Sequence, residues 1–240
     1  MKFAIISDIH ANFDALQAVL ADIEEQGAGR IVCLGDVVGY GSQPRECVAA
    51  LRERSVLTIA GNHDYAAIGK TNINYFNAYA KEATLWTRKI CSEDDKEWLK
   101  GLSLVEYLDD FTMVHGTLYA PELFDYILTT YDAYLSLQLL ERPVCFLGHS
   151  HVPINFVWDE MISFNYDKEI KLKPGVKMLV NVGSVGQPRD DNPRACYALY
   201  DQEAQVIQIR RVDYDIEAAA RKIRDAGLPA ALGERLKLGR

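Results

Sequence analysis

The sequence lacks the features that mark membrane and secreted proteins. No apolar run is long enough to span a bilayer, and the start, Met1 to Asp8, has only a short apolar run with no basic region before it. The 5 cysteines are widely spaced and form no Cys-x-x-Cys pair, which argues against a zinc knuckle or a disulfide framework. We therefore expect no signal peptide or membrane anchor, and buried thiols in a reducing, cytoplasmic compartment.

An excess of positive charge is also absent. Lys and Arg number 26 against 34 Asp and Glu, which gives a formal net charge of -8. No basic block with interleaved aromatic residues offers a track for a polyanion, so we expect no long nucleic-acid partner. A small phosphate ester stays compatible with this charge if the protein carries a local positive charge. The charges of residues 221–240 are best explained as a solvated helical face, although an exposed basic tail would be available for homo-oligomer formation.

What the chain does contain is an ordinary globular composition. With 240 residues, of which 49% are hydrophobic, we predict one domain spanning residues 1–240. Short apolar runs at 3–6, 31–34 and 56–60 predict three buried strands, and amphipathic helices between them begin at Asn12 and Pro44. This β-α-β-α-β order predicts right-handed crossovers and a largely parallel sheet.

The rest of the chain changes character along its length. Residues 74–101 are predicted to be mostly helical. Further strands are predicted at residues 105–108, 111–114, 144–147, 154–158, 177–182, 196–200 and 206–211. The concentration of strands after residue 154 predicts that this part forms a second sheet. Asp215 is expected to cap a last helix that ends near residue 226, before a short basic tail.

All five histidines stand in short polar clusters immediately after apolar runs. These clusters are Asp8-Ile9-His10, Gly61-Asn62-His63-Asp64, His115-Gly116 and Gly148-His149-Ser150-His151, and Gly35-Asp36 ends a strand in the same way. Because ligands of open α/β sheets bind at the carboxyl ends of the strands, we expect the clusters to face one crevice. For any single histidine a structural role is the better explanation, whereas the joint pattern favours a shared site.

Seven side chains in these clusters are candidate metal ligands. They are Asp8, His10, Asp36, Asn62, His115, His149 and His151. A set of His, Asp and Asn without Cys suits Mn²⁺, Fe²⁺ or Zn²⁺. Seven ligands are too many for one tetrahedral ion, but two ions bridged by a carboxylate would use them all and would clamp the oxygens of a phosphoryl displacement. Two divalent ions outweigh two aspartates and a bridging hydroxide by about one positive charge, which would attract a phosphate anion.

These clusters together resemble the five ordered motifs of the calcineurin-like metallophosphoesterase superfamily. The motifs D-x-H, G-D, G-N-H-[DE], H and G-H-x-H match 8–10, 35–36, 61–64, His115 and 148–151 in that order. The resemblance implies an α/β fold, a four-layer α-β-β-α sandwich in which two mixed sheets pack face to face with helices outside. It also implies a metal-dependent phosphoric ester hydrolase that holds two divalent transition-metal ions.

The resemblance also implies a role for each matching residue. Asp8, His10, Asp36 and His151 would hold one ion, and Asp36, Asn62, His115 and His149 the other, with Asp36 as the bridge. His63 would be catalytic and face the substrate, either donating to a phosphate oxygen or protonating the leaving group. Asn62 would also touch the substrate, and Asp64 is a candidate for orienting His63.

Other features separate this chain from some members of the superfamily. The stretch 37–41 lacks the arginine that protein serine/threonine phosphatases and symmetrical diadenosine tetraphosphatases carry after the G-D aspartate, so the resemblance is closer to small bacterial and archaeal phosphodiesterase-like members. The Gly-Ser loop 182–189 is similar to a loop of those members. Its Arg189 would either contact a substrate phosphate or form a salt bridge with Asp190, Asp191 or Glu203. Tyr40 and the aromatic-rich run 118–134 would either form a wall for the leaving group or simply pack.

We therefore expect a phosphoesterase that hydrolyses a small phosphodiester or phosphomonoester with metal-activated hydroxide. An asymmetric dinucleoside-polyphosphate hydrolase is the alternative within enzymes. A non-catalytic interaction module on the same fold is the alternative from a different class, and the complete set of candidate ligands argues against it.

Overall fold

We describe the fold from a computed structural model that covers residues 1–240. The strands are β1 (Lys2–Ile6), β2 (Arg30–Cys33), β3 (Leu57–Thr58), β4 (Val105–Tyr107), β5 (Phe111–Val114), β6 (Val144–Leu147), β7 (Ile154–Trp158), β8 (Ile162–Asn165), β9 (Glu169–Lys171), β10 (Lys177–Asn181), β11 (Ala195–Asp201) and β12 (Val206–Val212). The helices are α1 (Phe13–Glu25), α2 (Pro44–Glu53), α3 (Asn62–Ala67), α4 (Ala78–Ile90), α5 (Glu93–Lys100), α6 (Thr130–Leu139), α7 (Ile216–Asp225) and α8 (Ala230–Leu238).

The strands form two six-stranded mixed sheets. The first sheet has the order β3-β2-β1-β11-β12-β9, and the second sheet has the order β4-β5-β6-β10-β7-β8. In the first sheet β1, β2 and β3 are parallel, while β11 runs antiparallel to β1. In the second sheet β6 is parallel to both β5 and β10.

Alternating side chains bury both faces of each sheet. Phe3 and Ile5 of β1 point into the core between the sheets, whereas Ala4 and Ile6 pack against the outer helices α1 and α2. Strand β6 alternates in the same way and turns Leu147 toward α6. A strand that is buried on both faces needs apolar residues at every position, which is why β1 and β6 read as continuous apolar runs. The predicted four-layer α-β-β-α sandwich is thereby confirmed.

The predicted division of strands between the sheets was wrong. Strands β9, β11 and β12 lie after residue 154, yet they complete the first sheet. Three of the five strand pairings of that sheet are therefore antiparallel, and the sheet is not largely parallel. Conversely, β4, β5 and β6 precede residue 154 and belong to the second sheet. Strand pairing depends on contacts between segments that are far apart in the chain, and local composition does not encode it.

Several elements were also missed or shortened. Strand β3 has only 2 residues, and the helices α3 and α6 and the strands β8 and β9 were not predicted. The C-terminal tail is not an exposed basic segment, because most of it forms α8 and buries Leu232 and Leu236 against α7. The predicted helix starts at Asn12 and Pro44 are confirmed, and the Asn12 Oδ1 atom accepts a hydrogen bond from the Ala15 N–H.

None of the helices combines the length and the apolar character that a bilayer crossing requires. All five cysteines are buried and unpaired, as expected. Burial raises the pKa of the Cys91 and Cys196 thiols to about 12.

Aromatic rings join the two sheets at the centre of the sandwich. Phe3 and Tyr200 come from the first sheet, and Phe111 and Phe146 come from the second. The Phe111 ring lies 5.2 Å from Phe3 and 5.3 Å from Phe146, both in edge-to-face contact. The contact of Phe111 with Phe3 crosses from one sheet to the other, as does that of Phe146 with Tyr200 at 5.8 Å. These contacts hold together the two sheets whose strand ends build the site described below.

We expect Phe146→Ala to lower the free energy of unfolding by about 3–5 kcal/mol, because it leaves a cavity between the sheets. Urea unfolding measured by circular dichroism checks this value. The matched control is Phe164→Ala, since Phe164 is 54% exposed on β8 and its loss should cost under about 1 kcal/mol. Equal effects of the two changes would mean that the inter-sheet core does not dominate stability.

Candidate metal centre

Five strands of the two sheets deliver the predicted ligands to one crevice. Asp8 and His10 follow β1, Asp36 follows β2, Asn62 opens α3 after β3, His115 follows β5, and the two histidines of 149–151 follow β6. Six of the seven candidates meet there in close groups, although they are spread over 144 residues of chain from 8 to 151. Asn62 lines the same pocket as His63 and His149. Asn62 is half-buried and the other six are buried.

The donor atoms of these side chains form overlapping groups. Asp8, His10 and His151 make one group, and Asp36, His115 and His149 make another, with the ligand atoms of each within 4.8 Å of one another. Asp36 also groups with His10 and His63. Asp8, His10 and His151 are three of the four ligands that the family resemblance implies for one ion, and Asp36, His115 and His149 are three of the four that it implies for the other.

In each aspartate, one carboxylate oxygen accepts hydrogen bonds from neighbouring protein groups, and the other points into the crevice. The Asp8 Oδ2 atom accepts hydrogen bonds from the Ser7 hydroxyl at 2.6 Å and from the His149 N–H at 3.0 Å. Its Oδ1 atom lies 3.2 Å from His151 Nε2. Asp36 Oδ1 accepts from the His63 N–H at 2.8 Å, which leaves Oδ2 3.3 Å from His115 Nε2. Both carboxylates are therefore oriented before any ion binds.

Backbone carbonyls set the orientation of three imidazoles. His10 Nδ1 contacts Val38 O at 3.2 Å, and His115 Nδ1 contacts Leu34 O at 2.8 Å. His151 Nδ1 contacts Gln187 O at 2.5 Å. A carbonyl oxygen only accepts, so each Nδ1 carries a hydrogen, and each ring presents the lone pair of Nε2 when it is neutral. This second-sphere arrangement is typical of metal-binding histidines.

The crevice contains polar atoms that the protein itself does not satisfy. The buried atoms Asn62 Oδ1, His115 Nε2 and His149 Nε2 have no hydrogen-bond partner. His10 Nε2 and His151 Nε2 face each other at only 3.0 Å. Buried polar atoms normally have partners, and nitrogen and oxygen lone pairs converging on one space fit a cation. The residues present therefore fit a metal site.

The ionisation of these groups follows from burial and from the two carboxylates. Burial alone would raise the pKa of Asp36, but the charges of His115 and His63 hold it well below its usual range. Burial lowers the pKa of His149 to about 3, and repulsion from the charge of His115 lowers it further. Burial also lowers the pKa of His115, yet the Asp36 carboxylate outweighs it and raises that pKa to about 9. The centre thus favours a positive charge beside Asp36.

The backbone of the site occupies an unusual conformation. Asp8, His10, Asp36, His149 and His151 have φ angles between 48° and 68°, in the left-handed region. For residues other than glycine such angles cost on the order of 1–3 kcal/mol each and persist only where the surrounding structure imposes them. Here the left-handed turns bring successive ligands back into the crevice immediately after each strand ends.

Glycines allow the site loops to approach one another closely. A Cβ atom on Gly61 would overlap the Asp36 carboxylate, and one on Gly148 would overlap the side chains of Ser7 and Asp8. A Cβ atom on Gly186 would overlap the Ile9 carbonyl oxygen. The glycines of the sequence motifs are therefore needed for close packing of the ligand loops.

His63 and Tyr40 lie beside the centre. The His63 ring centroid is 4.9 Å from that of His10, 4.4 Å from that of Tyr40 and 5.0 Å from that of Phe76. Its Nδ1 atom is buried without a partner. Burial lowers the pKa of His63 to about 4, with Asp36 opposing and Arg189 reinforcing the shift, so the ring is neutral near pH 7.

The suggested role of Asp64 was wrong. Its carboxylate does not contact the His63 ring but accepts hydrogen bonds from the N–H groups of Val37 at 2.9 Å, Val38 at 3.2 Å and Gly61 at 3.0 Å. Asp64 therefore ties the loop after Asp36 to the start of α3. Burial, together with the Asp36 charge, raises the pKa of Asp64 to about 7. The side chain of a helical residue points away from that of its neighbour, which is why adjacency in sequence was misleading.

Arg189 lies at the mouth of the crevice and not in a surface salt bridge. The acidic residues considered as its partners are paired elsewhere: Asp190 with Arg211, Asp191 with Arg240 and Glu203 with the N-terminal amine. The Arg189 guanidinium carbon lies 5.7 Å from the centroid of Tyr40, and its Nη2 atom donates to Gln187 Oε1 at 2.9 Å. Its buried Nε atom has no partner.

Two aromatic residues at the site were not singled out from the sequence. The Tyr126 ring stacks on His149 with centroids 3.9 Å apart and planes at 15°, and Phe124 packs edge-on against His115 at 6.0 Å. Both belong to the aromatic-rich run 118–134, whereas Tyr119 and Tyr131 of the same run are exposed at 54% and 68%. Nothing in a run of similar residues distinguishes those that face the site.

Comparison with known proteins agrees with this geometry. Residues 1–205 match the model of the calcineurin-like phosphoesterase superfamily domain. An uncharacterized protein of Methanocaldococcus jannaschii is 41% identical, over 99% of this chain and 98% of its own length. The phosphodiesterase YfcE of Escherichia coli K12 is 24% identical, over 85% of this chain and 89% of its own length.

A solved structure gives the same result. The crystal structure of a metallophosphoesterase from Sphaerobacter thermophilus is 37% identical and superposes with a TM-score of 0.90, covering 100% of this chain and 99% of that one. The match therefore includes the strand ends that carry the candidate ligands. Because the family model and this structure both span the motifs that build the crevice, the chain belongs to the calcineurin-like phosphoesterase superfamily and is a phosphoric ester hydrolase.

Proposed function

We propose that this protein is a dinuclear metal-dependent phosphoesterase that hydrolyses a small phosphodiester. The observation that carries the proposal is a pair of donor groups, Asp8 with His10 and His151 and Asp36 with His115 and His149, each of which has one carboxylate and two imidazoles. A third group, which contains His10 and Asp36, connects them. Asp8, His10 and His151 would hold one ion, and Asn62, His115 and His149 the other. Asp36, whose Oδ2 atom lies 3.6 Å from His10 Nε2 and 3.3 Å from His115 Nε2, would be shared. Mn²⁺, Fe²⁺ and Zn²⁺ all suit these donors.

Bound divalent ions would supply two things: a water with a pKa lowered toward ~7 as nucleophile, and positive charge against the phosphoryl oxygens. The protein side chains do the rest. Asp8 and Asp36 are held in place by their hydrogen bonds to backbone and hydroxyl donors, so the centre needs no rearrangement before reaction. Arg189 at the mouth would bind a non-bridging phosphate oxygen, since its Nε donor has no protein partner. Asn62 and Tyr40 would line the same face.

His63 is the proposed proton donor to the leaving group. With its pKa lowered by burial, the ring is neutral in the resting enzyme. An entering phosphate anion favours the protonated form and so raises that pKa. His63 would then donate its proton to the ester oxygen that departs, while Tyr40 and Phe76 keep bulk water away from the ring.

Asymmetric hydrolysis of a dinucleoside polyphosphate is a second candidate. A pocket of about 460 Å³ next to His63 is lined by Tyr75 and Phe76 together with the amides of Asn72 and Asn77. Aromatic faces beside amide groups suit a nucleobase. Family membership and the complete donor set both argue against the non-catalytic interaction module.

We expect Asp36→Asn to lose at least one of two bound ions and nearly all activity, because the change removes a charge that the two half-sites share. Metal content of the purified protein by mass spectrometry, measured beside turnover of bis(p-nitrophenyl) phosphate, checks this. Asp94→Asn is the matched control, because it removes the same charge from an exposed residue of α5. Two ions per chain and wild-type turnover in Asp36→Asn would refute the shared role.

We expect His63→Ala to retain both ions but to lower kcat by roughly 10²–10⁴-fold on an alkyl leaving group. The loss should be much smaller on a p-nitrophenyl leaving group, which departs without a proton. A ladder of leaving groups of rising basicity measures this difference. Equal losses along the whole ladder would show that His63 shapes the site and does not donate a proton.

A further inference from the structure

The ring of Tyr126 divides the approach to the metal centre into two pockets. One face of the ring stacks on His149, with centroids 3.9 Å apart. The same side chain lines both the pocket beside His63 and a second pocket on the other side of the 148–151 motif. A group bound to phosphorus at the centre therefore has two directions in which to extend.

The second pocket is mostly apolar and has a volume of about 280 Å³. Its wall includes Tyr126, Leu128, Val152, Ile154, Tyr166 and Arg189. Ser150 also reaches this pocket, but its Oγ atom is already engaged by the Asn181 Nδ2 donor at 3.0 Å. The volume is close to the lower end of the range for small-ligand pockets, roughly 300–1,000 Å³.

The two pockets differ in chemistry. The one beside His63, here called the polar pocket, combines aromatic rings such as Tyr75 and Phe76 with the polar groups of Asn72, Asn77 and Glu122. The apolar pocket has Arg189 as its only charged side chain. Leu128 and Tyr166, which line this pocket, are 65% and 63% exposed, so an entering group can reach them from solvent.

The position of Arg189 indicates what enters the apolar pocket. Its backbone N–H donates to the His151 carbonyl at 3.2 Å, so its main chain is tied to a candidate metal ligand. A cation between the centre and an apolar cavity suits a ligand that is anionic at one end and apolar at the other. A phosphate ester of an apolar alcohol has this form.

We propose that the apolar pocket binds the arm of a phosphodiester that stays on phosphorus, and that this arm is an apolar alkyl or aryl group. The inference rests on the proposed function, in which His63 faces the leaving group. The leaving alcohol then lies in the polar pocket that contains His63, and the other ester arm lies on the far side of Tyr126. The substrate is an asymmetric diester with one polar and one apolar arm.

The reaction balances as a simple hydrolysis. The oxygen of water forms a bond to phosphorus, and the bond from phosphorus to the alcohol oxygen in the polar pocket breaks. The electron pair of that bond leaves with the alcohol oxygen, which takes up a proton. The products are the free polar alcohol and a phosphomonoester that carries the apolar group.

The test uses alkyl p-nitrophenyl phosphates whose alkyl group grows from methyl to hexyl. The leaving group is the same throughout, so only the retained arm changes. We expect kcat/KM of the manganese-loaded wild-type enzyme to rise at least about tenfold from methyl to hexyl, because each buried methylene is worth roughly 0.8 kcal/mol when fully covered and less when partly covered. Release of p-nitrophenolate gives the rate.

Leu128→Asn should reduce the ratio of kcat/KM for the hexyl ester to kcat/KM for the methyl ester by about threefold. The Leu128 side chain is exposed, and its backbone N–H keeps its bond to Asp132 Oδ2, so folding should be unaffected. Leu139→Asn on α6 is the matched control, since Leu139 is 54% exposed and lines neither pocket. It should leave the preference unchanged.

Equal rates for the methyl and hexyl esters would overturn the inference while leaving the proposed function intact. A thymidine p-nitrophenyl diester that is preferred over the hexyl ester and insensitive to Leu128→Asn would also overturn it, in favour of a nucleoside arm. Failure of the proposed function is distinguishable, because no diester of the series would then be hydrolysed with any of the three metals.

Discussion

The structure is organised around two carboxylates that are buried next to each other. Asp8 and Asp36 are almost fully enclosed, at 0% and 1% exposure, in the crevice where the two sheets end. Burying an uncompensated charge costs roughly several kcal/mol, and two like charges side by side cost more. The fold offsets part of this by directing the Ser7 hydroxyl and two backbone N–H groups at the carboxylates, and the imidazoles supply further compensation. The arrangement is most stable when a cation shares the crevice, and for this reason we interpret it as a metal centre.

This constraint explains the unusual backbone at the ends of the strands. A strand that ended in an ordinary turn would carry its next side chain away from the crevice. The left-handed backbone conformation of Asp8, Asp36 and His149 instead turns the chain directly after the strand, so that these side chains stay in the crevice. The glycines that precede or face these residues permit loops from different strands to pack so closely that a Cβ atom would overlap the neighbouring loop. Strain is thus stored at the site and maintained by the rigid sandwich beneath it.

The two sides of the centre have different surroundings, although the donors themselves form two similar groups. His63, with Tyr40 and Phe76, stands on one side, and the apolar pocket beyond Tyr126 stands on the other. The donor atoms determine which reaction the site supports, whereas these flanking residues determine which substrates fit. Most of the flanking residues come from 71–80, 122–128 and 152–166, which lie outside the ligand motifs, whereas His63 and Ser150 belong to those motifs.

The sequence by itself determined the fold class, the family and the set of side chains that meet in the crevice. It did so because the ligands follow directly on apolar strands, and parallel strands end at a common edge. It did not determine which strand joins which sheet, since the pairing of β1 with β11 joins residues about 200 apart. It misplaced Asp64, whose partners lie across a loop contact, and it did not separate Tyr126 from the other tyrosines nearby. Those features depend on which surfaces pack together once the two sheets have closed, and only the tertiary structure decided them.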